Sequence, residues 1–316
     1  MVKKVLAAQF SQAGQAAAVL ASIVAPLREA ADVELTQVAL DVVPPYPFPW
    51  PFWRFLDAFP ETVHLDAPPL APLPLRGDED FDLIVLAYPV WFLSPPPPIT
   101  AFLRHPTGRA LLRDKPVVTV IACRNMWVMA QQTVKQLLRE AGARHIDQVV
   151  LTDRSHPLAT FITTPRWVLT GRRDAFWGLP AAGVSEQEIR AARRFGIALR
   201  DGLRRDDEKR GAPLLGGLRA CEVDARIVAS ERIGIRSFRI WGRALRALGP
   251  PGAPARRTLL VFYLVFLLAV IVTVVPLNML VRRLLGPFAG ARLQRLRREI
   301  EAPSGSGVER LGAIDG

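Results

Sequence analysis

Three short segments carry residue types that could do chemistry. The first, Phe10-Ser11-Gln12-Ala13-Gly14-Gln15-Ala16, is a small, glycine-containing turn of the kind that leads from a strand into a helix. Such a turn aims several backbone amides, and the positive end of the helix, at one place, which suits a phosphate group. The alternative is a strand–helix turn that binds nothing. The second segment, Tyr88-Pro89-Val90-Trp91-Phe92-Leu93-Ser94, runs into four consecutive prolines and is stiff and aromatic. The third, Cys123-Arg124-Asn125-Met126-Trp127, offers a thiol, a guanidinium and an amide. Cys123 reads either as a nucleophile or as a small buried thiol at a strand end. No histidine stands near it in sequence to activate it, and His64, His105, His145 and His156 form no recognisable arrangement.

These segments need a frame, and the hydrophobic periodicity supplies one. Val2 to Phe10, Val33 to Leu40, Phe81 to Ala87, Val117 to Ala122 and Ile146 to Leu151 read as strands. Gly14 to Ala31, Trp127 to Ala141 and Ser185 to Arg205 read as helices, the last opened by Ser185 and Glu188 as a capping box. Strands separated by helices imply a parallel sheet wound on both faces. Five strands fit the order 2-1-3-4-5, and ligands of such sheets bind beyond the carboxyl ends of the strands, where all three segments fall.

On these residues, positions 1–206 resemble the flavodoxin-like NAD(P)H-dependent oxidoreductases, a superfamily of FMN flavoproteins. The match lies in Val5 to Gly14, Phe81 to Leu103 and Val117 to Leu138. The resemblance implies that Ser11, Gln12, Ala13, Gly14 and Gln15 hold the FMN phosphate and that Tyr88, Pro89, Val90, Trp91 and Phe92 wrap the flavin ring. Trp91 and Tyr88 would lie nearest the ring, Arg124 and Asn125 would tune its charge, and NAD(P)H would be the electron donor. Two expected hydroxyl positions are Ala13 and Ala16, and each lost hydroxyl removes a hydrogen bond worth on the order of 1 kcal/mol. No side chain is marked as an acid or base. CRNMW, the segment TTPRWVLTG at 163–171 and the aromatic-proline insert within 42–80 look like the branch labelled dialkylresorcinol condensing enzyme, which implies a role in making alkylated aromatic lipids. The insert packs seven aromatic residues between Pro44 and Pro60. Trp50 and Phe52 are candidates to meet a substrate; alternatively the insert seals the sheet edge, or dips into a membrane interface.

The chain has 316 residues, half of them apolar or aromatic, and a formal charge of +12, which excludes a disordered acidic chain and a coiled coil. Residues 1–150 hold 13 basic and 14 acidic residues, whereas 226–298 hold 14 arginines and one acid. Two distant cysteines give neither a disulfide framework nor a metal site, and no secretory signal is expected. After a polar hinge at 207–225, residues 226–257 form a basic amphipathic segment. Thr258 to Val281 then give 24 residues without a charge, where about 20 suffice to cross a bilayer. Arginines at both ends suit the head groups, so lipid rather than nucleic acid is the expected partner. The expectation is a cytoplasmic domain on a single-pass helix in the cell membrane, an apolar small-molecule substrate and, by resemblance, a homodimer. Residues 282–316 read as a basic, partly disordered tail that either lies beyond the span or folds back at Gly286, Pro287 and Gly290. The rival reading is a non-catalytic scaffold of a lipid-synthesis complex that has lost FMN.

Overall fold

The computed structural model describes residues 2–285 and 290–313; the side chains of 274–285 lie outside that description. Strands β1 (Lys3–Gln9), β2 (Val33–Ala39), β3 (Leu83–Tyr88), β4 (Pro116–Cys123) and β5 (Arg144–Thr152) form one sheet in the order β2-β1-β3-β4-β5. Every pairing is parallel. Val5 of β1 sits opposite Leu35 on one side and Leu83 on the other. Because successive side chains point to opposite faces, a strand covered on both faces must be apolar throughout. Thus Val5 and Ala7 join a layer with helices α1 (Gln15–Arg28), α8 (Glu186–Ala191) and α9 (Arg193–Arg204). Leu6 and Ala8 join the opposite layer, with α4 (Pro97–Arg104), α5 (Pro106–Leu112) and α6 (Val128–Glu140). This is the doubly wound, flavodoxin-like architecture that the strand pattern predicts. The final helix is split at Ala192 rather than continuous, and Ser185 caps its first part by accepting the Glu188 amide at 3.2 Å.

A third apolar cluster lies outside the doubly wound core. It joins α2 (Phe52–Asp57) and α3 (Phe59–Val63) of the insert to α10 (Val228–Ala247) and α11 (Pro254–Leu285) through Leu56, Phe59, Ile235, Leu245, Leu260 and Tyr263. The insert is therefore largely structural, a platform for the C-terminal helices. Arg256, at the start of α11, is wholly buried and binds Asp57 of α2 and Glu61 of α3 at 2.5–2.8 Å.

Two expectations about the remaining segments are corrected. Residues 207–225 are not a hinge: Leu214, Leu215, Leu218, Ala220, Cys221 and Val223 are buried, and Val150 of β5 donates to the Ala220 carbonyl at 2.8 Å. The segment covers the exposed edge of β5, which would otherwise present unpaired backbone groups. Nor is the region after Arg298 disordered within the described residues. Helix α12 (Gly290–Glu301) leads into a stretch bonded to that same segment, with Cys221 N donating to Gly305 O at 3.1 Å and Arg219 N to Gly307 O at 2.7 Å. The expected turn at Gly286 and Pro287 lies outside the described residues. Pro254–Thr273 of α11 is long and apolar enough to cross a membrane and mostly unburied, yet the chain after α11 rejoins the body that precedes it.

Candidate functional site

The loops after β1, β3 and β4 leave the same carboxyl edge of the sheet; Phe10 and Trp91 bring the first two together. In the first, Gly14 has a left-handed φ of +79°, and a side chain placed there would meet nothing within 4 Å. Backbone conformation, not crowding, demands glycine here. Among the described hydrogen bonds none occupies the amides of Gln12, Ala13, Gly14, Gln15 or Ala16, which precede or open α1. The only hydroxyl of the turn is held in place, since Ser11 Oγ accepts the Ala17 amide at 3.1 Å, and its own O–H donates to no group among the described residues. Gln15 is turned aside into a two-way bond with the backbone of Val184, 3.1 and 3.2 Å long. Gln12 donates to the Pro47 carbonyl at 2.5 Å, which ties the insert to the turn, and its own carbonyl oxygen is buried without a partner, as is that of Gln9.

Trp91 of the second loop stands against Phe10, Tyr46 and Trp50, with ring centroids 5.1–5.4 Å apart. Tyr46 and Trp50 thus stand over the first two loops, and Trp50 is also anchored by its amide to the Val168 carbonyl of α7 (Pro157–Thr170). Pro89 and Val90 are half-buried at the same edge. Two neighbours expected to touch a ring do not face it. Tyr88 is the last residue of β3; strand alternation sends its side chain into the core, where its hydroxyl donates to Gln131. Phe92 and Leu93 occupy the left-handed region, φ +49° and +61°, as the central pair of a tight turn closed by Trp91 and Ser94. Non-glycine residues there cost about 1–2 kcal/mol each. Burial offsets this, because Phe92 packs on Phe55, Phe59 and Phe238 of the third cluster.

In the third loop, Arg124 donates from Nε to Thr160 Oγ1 at 2.8 Å and stacks 4.0 Å over Phe161, both on α7. Burial pulls its pKa down. Asn125 accepts the Met126 amide at 2.8 Å and shapes its own turn. Cys123 is buried, and burial, followed by the nearby Glu231 carboxylate, pushes its pKa up, so it stays a neutral thiol. The histidines have local tasks: His105 and His156 cap α5 and α7, His64 bonds the Arg239 carbonyl, and His145 bonds Thr119. Buried thiol, not nucleophile, is the reading of Cys123 that the geometry supports.

Trp50 is buried, while Phe52 is exposed on Trp53. Behind Trp50 lies a cavity of about 620 Å³, lined by Tyr46, Trp50, Trp53 and Leu260 of α11 together with the charged groups of Arg54, Asp57, Glu61, Asp66 and Arg257. Arg257 stacks 4.8 Å over Trp53. The sequence marks the aromatic insert but not this cavity, because Leu260 and Arg257 are two hundred residues away and are brought there by long-range contacts, the third apolar cluster and the Arg256–Asp57–Glu61 ion pairs.

Free amides at a helix start, an open space at Gly14 and unpartnered buried acceptors on Gln9 and Gln12 fit a phosphate-bearing ligand with donor groups of its own. The fit relies mainly on backbone amides, with Ser11 as the one side-chain hydroxyl that can still donate. No family model matches the chain, and no curated protein matches it. Among solved structures it is similar to a flavoprotein in complex with FMN from Lactobacillus acidophilus, at 18% identity over 47% of this chain and 93% of that one, TM-score 0.38. It is also similar to a flavodoxin from the Archaea, at 11% identity over 64% of this chain and 99% of that one, TM-score 0.35. A third is a flavone reductase, at 12% identity over 64% and 63%, TM-score 0.34.

Proposed function

We propose that the chain is an FMN-dependent NAD(P)H oxidoreductase bound to the cytoplasmic face of the cell membrane, acting on an apolar quinone-like or alkylated aromatic lipid. The observation that carries this reading is the row of free amides from Gln12 to Ala16 at the positive end of α1, with Trp91 beside it. The amides would hold the phosphate; Trp91, Pro89 and Val90 would lie along the ring. When bound, the flavin supplies hydride transfer between NAD(P)H and a second substrate. Arg124, fixed by Thr160 and Phe161, keeps a positive charge at the end of β4, which favours a ring that gains negative charge. Tyr46 and Trp50 exclude water from above. The three aromatic rings in the cavity behind Trp50, which Leu260 of α11 also lines, support an aromatic substrate that arrives from lipid, with the charged groups of the same cavity left to bind its polar end.

Purification of the full chain in detergent tests this. The expected result is a yellow protein, or a colourless one that takes up FMN, whose colour bleaches with NADH or NADPH and returns on adding a quinone with an alkyl tail. A chain that neither carries nor takes up FMN would overturn the proposal. That outcome would favour a membrane-bound scaffold without cofactor, a reading supported by the absence of hydroxyls at Ala13 and Ala16.

A further inference from the structure

Two outward stripes on the C-terminal helices have no protein partner among the described residues. On α10, Arg232, Arg236, Arg239 and Arg243 follow the spacing of one helical face, and all four are exposed. Nearby Arg246 and Arg256 are bound to Asp66 and to Asp57 and Glu61. No ion pair of the four stripe arginines is found among the described residues. Ile233 and Ile240, 67% and 71% exposed, stand beside them. On α11, Leu260, Tyr263 and Leu267 face α3 and α10, whereas Val261, Val265, Leu268 and Val272 line the opposite face and are 44–71% exposed. Phe52, also exposed, and Trp53 lie where α11 begins, with Arg257 over the Trp53 ring. An arginine stripe beside an apolar stripe, flanked by aromatics, has the charge and polarity of a surface that meets anionic lipid.

The segment after α11 fixes which side of a bilayer each end can occupy. Gln148 of β5 donates from its side chain to the Ile300 carbonyl at 2.8 Å and from its backbone to Ser304 Oγ at 2.7 Å. Ser304 Oγ in turn donates to Asp147 at 2.6 Å, and Val223 N donates to Glu301 at 2.9 Å. Residues 300–307 are thus part of the sheet's edge. Were α11 to cross a bilayer completely, α12 would have to bring the chain back. Its 12 residues span about 18 Å, less than the roughly 30 Å of hydrocarbon. It would also carry Arg292, Arg295, Arg297 and Arg298 into the lipid, at about 2.5–3.5 kcal/mol for each arginine near the centre.

We infer that α10 and α11 form a hairpin that seats in one leaflet of an anionic bilayer without crossing it, so that residues 1–206 and 290–313 lie on the same side. The four arginines bind lipid phosphates, and the Val261–Val272 stripe enters the acyl region. This rests on the proposed membrane association and replaces the single-pass topology expected from the length of α11.

The test uses the full chain with a protease-sensitive epitope at each end, in sealed inside-out membrane vesicles with protease outside. Loss of both epitopes supports the hairpin. Loss of the N-terminal epitope with survival of the C-terminal one overturns it while leaving membrane association intact. Absence of the chain from the membrane pellet overturns both. In parallel, the purified chain is floated with phosphatidylcholine vesicles, with and without phosphatidylglycerol. Replacing all four stripe arginines by glutamine should lower binding to the anionic vesicles about tenfold or more; unchanged binding overturns the role of the stripe. Val265→Asp, on the exposed apolar stripe, should weaken binding to both vesicle types, and undiminished binding would place the contact elsewhere.

Discussion

The carboxylate of Glu231 on α10 accepts the backbone amide of Met129 in the first turn of α6, 2.6 Å away. An acid from α10 therefore caps a helix of the doubly wound core, directly behind the loop that holds Arg124. A helix start favours the ionised form. Burial outweighs it: Glu231 is fully enclosed, its second oxygen has no partner, and its pKa rises from 4.5 to about 7.

This sets a pH dependence. Because the folded protein holds this proton more tightly than the unfolded chain, the contribution to stability is complete below the ordinary carboxylate value. It is lost as pH rises through about 7. Glu231→Gln keeps the acceptor for Met129 and cannot ionise. The variant should melt with the parent near about pH 5 and exceed it at about pH 8.5 by on the order of 1–3 kcal/mol. A variant less stable than the parent at the higher pH would show that the carboxylate is ionised and needed there.

At Gly14, alanine meets no neighbour, so its effect isolates the backbone. Holding φ at +79° should cost about 1 kcal/mol of stability. Flavin affinity should fall further with Gly14→Val, whose branched side chain projects into the space before the free amides, while far-UV circular dichroism stays that of the parent. FMN binding by the valine variant at parental strength would mean that the phosphate sits elsewhere.

Arg256→Ala leaves Asp57 and Glu61 facing each other without their shared cation. Truncating one partner of a buried ion pair costs about 3–5 kcal/mol. We expect α11 to detach from α2 and α3, read as rapid proteolysis near Gly249 and Gly252 at temperatures where the doubly wound core remains folded. Arg256→Lys should rescue little, since one ammonium cannot reproduce a guanidinium that bonds Asp57 and Glu61 together with the Asp57 carbonyl.

Ser304→Ala removes the donor to Asp147 and the acceptor of the Gln148 amide, leaving both buried groups short of a partner at a cost of about 1–3 kcal/mol. Trypsin should then cut at Arg297 and Arg298 well before global unfolding. Burial raises the Asp147 pKa from 3.8 to about 6 against the opposing pull of the Ser304 hydroxyl, so the stability the fold draws from this proton is lost as pH rises through about 6, while the Ser304 bond itself favours the carboxylate. Unchanged cleavage in the variant would refute the docking.

Much of the doubly wound core is legible in the chain because its signals are local. Strand β1 is a short apolar run, and Ser185 announces its cap by type and spacing. Long-range contacts are not legible in this way. Phe92 follows Trp91 in a turn that resembles a flavin loop, yet it faces α10, and nothing near residue 92 specifies Phe238. PSGSG looks disordered until it is set against Asp147 and Gln148. Those two polar residues inside a strand otherwise as apolar as VVL were the available signal that something polar had to cover β5.

Closure of that edge orders events during synthesis. Chains are made from the N-terminus and domains begin to fold as they emerge. Here the strands, α10 and α11 precede residues 302–307 in the chain, so β5 still lacks its last cover when α11 leaves the ribosome. On the proposed hairpin, membrane seating and completion of the sheet would therefore overlap in time. The nascent protein must keep a long apolar helix and an incomplete sheet edge from aggregating together, which makes its biogenesis more demanding than that of a domain finished before any anchor appears.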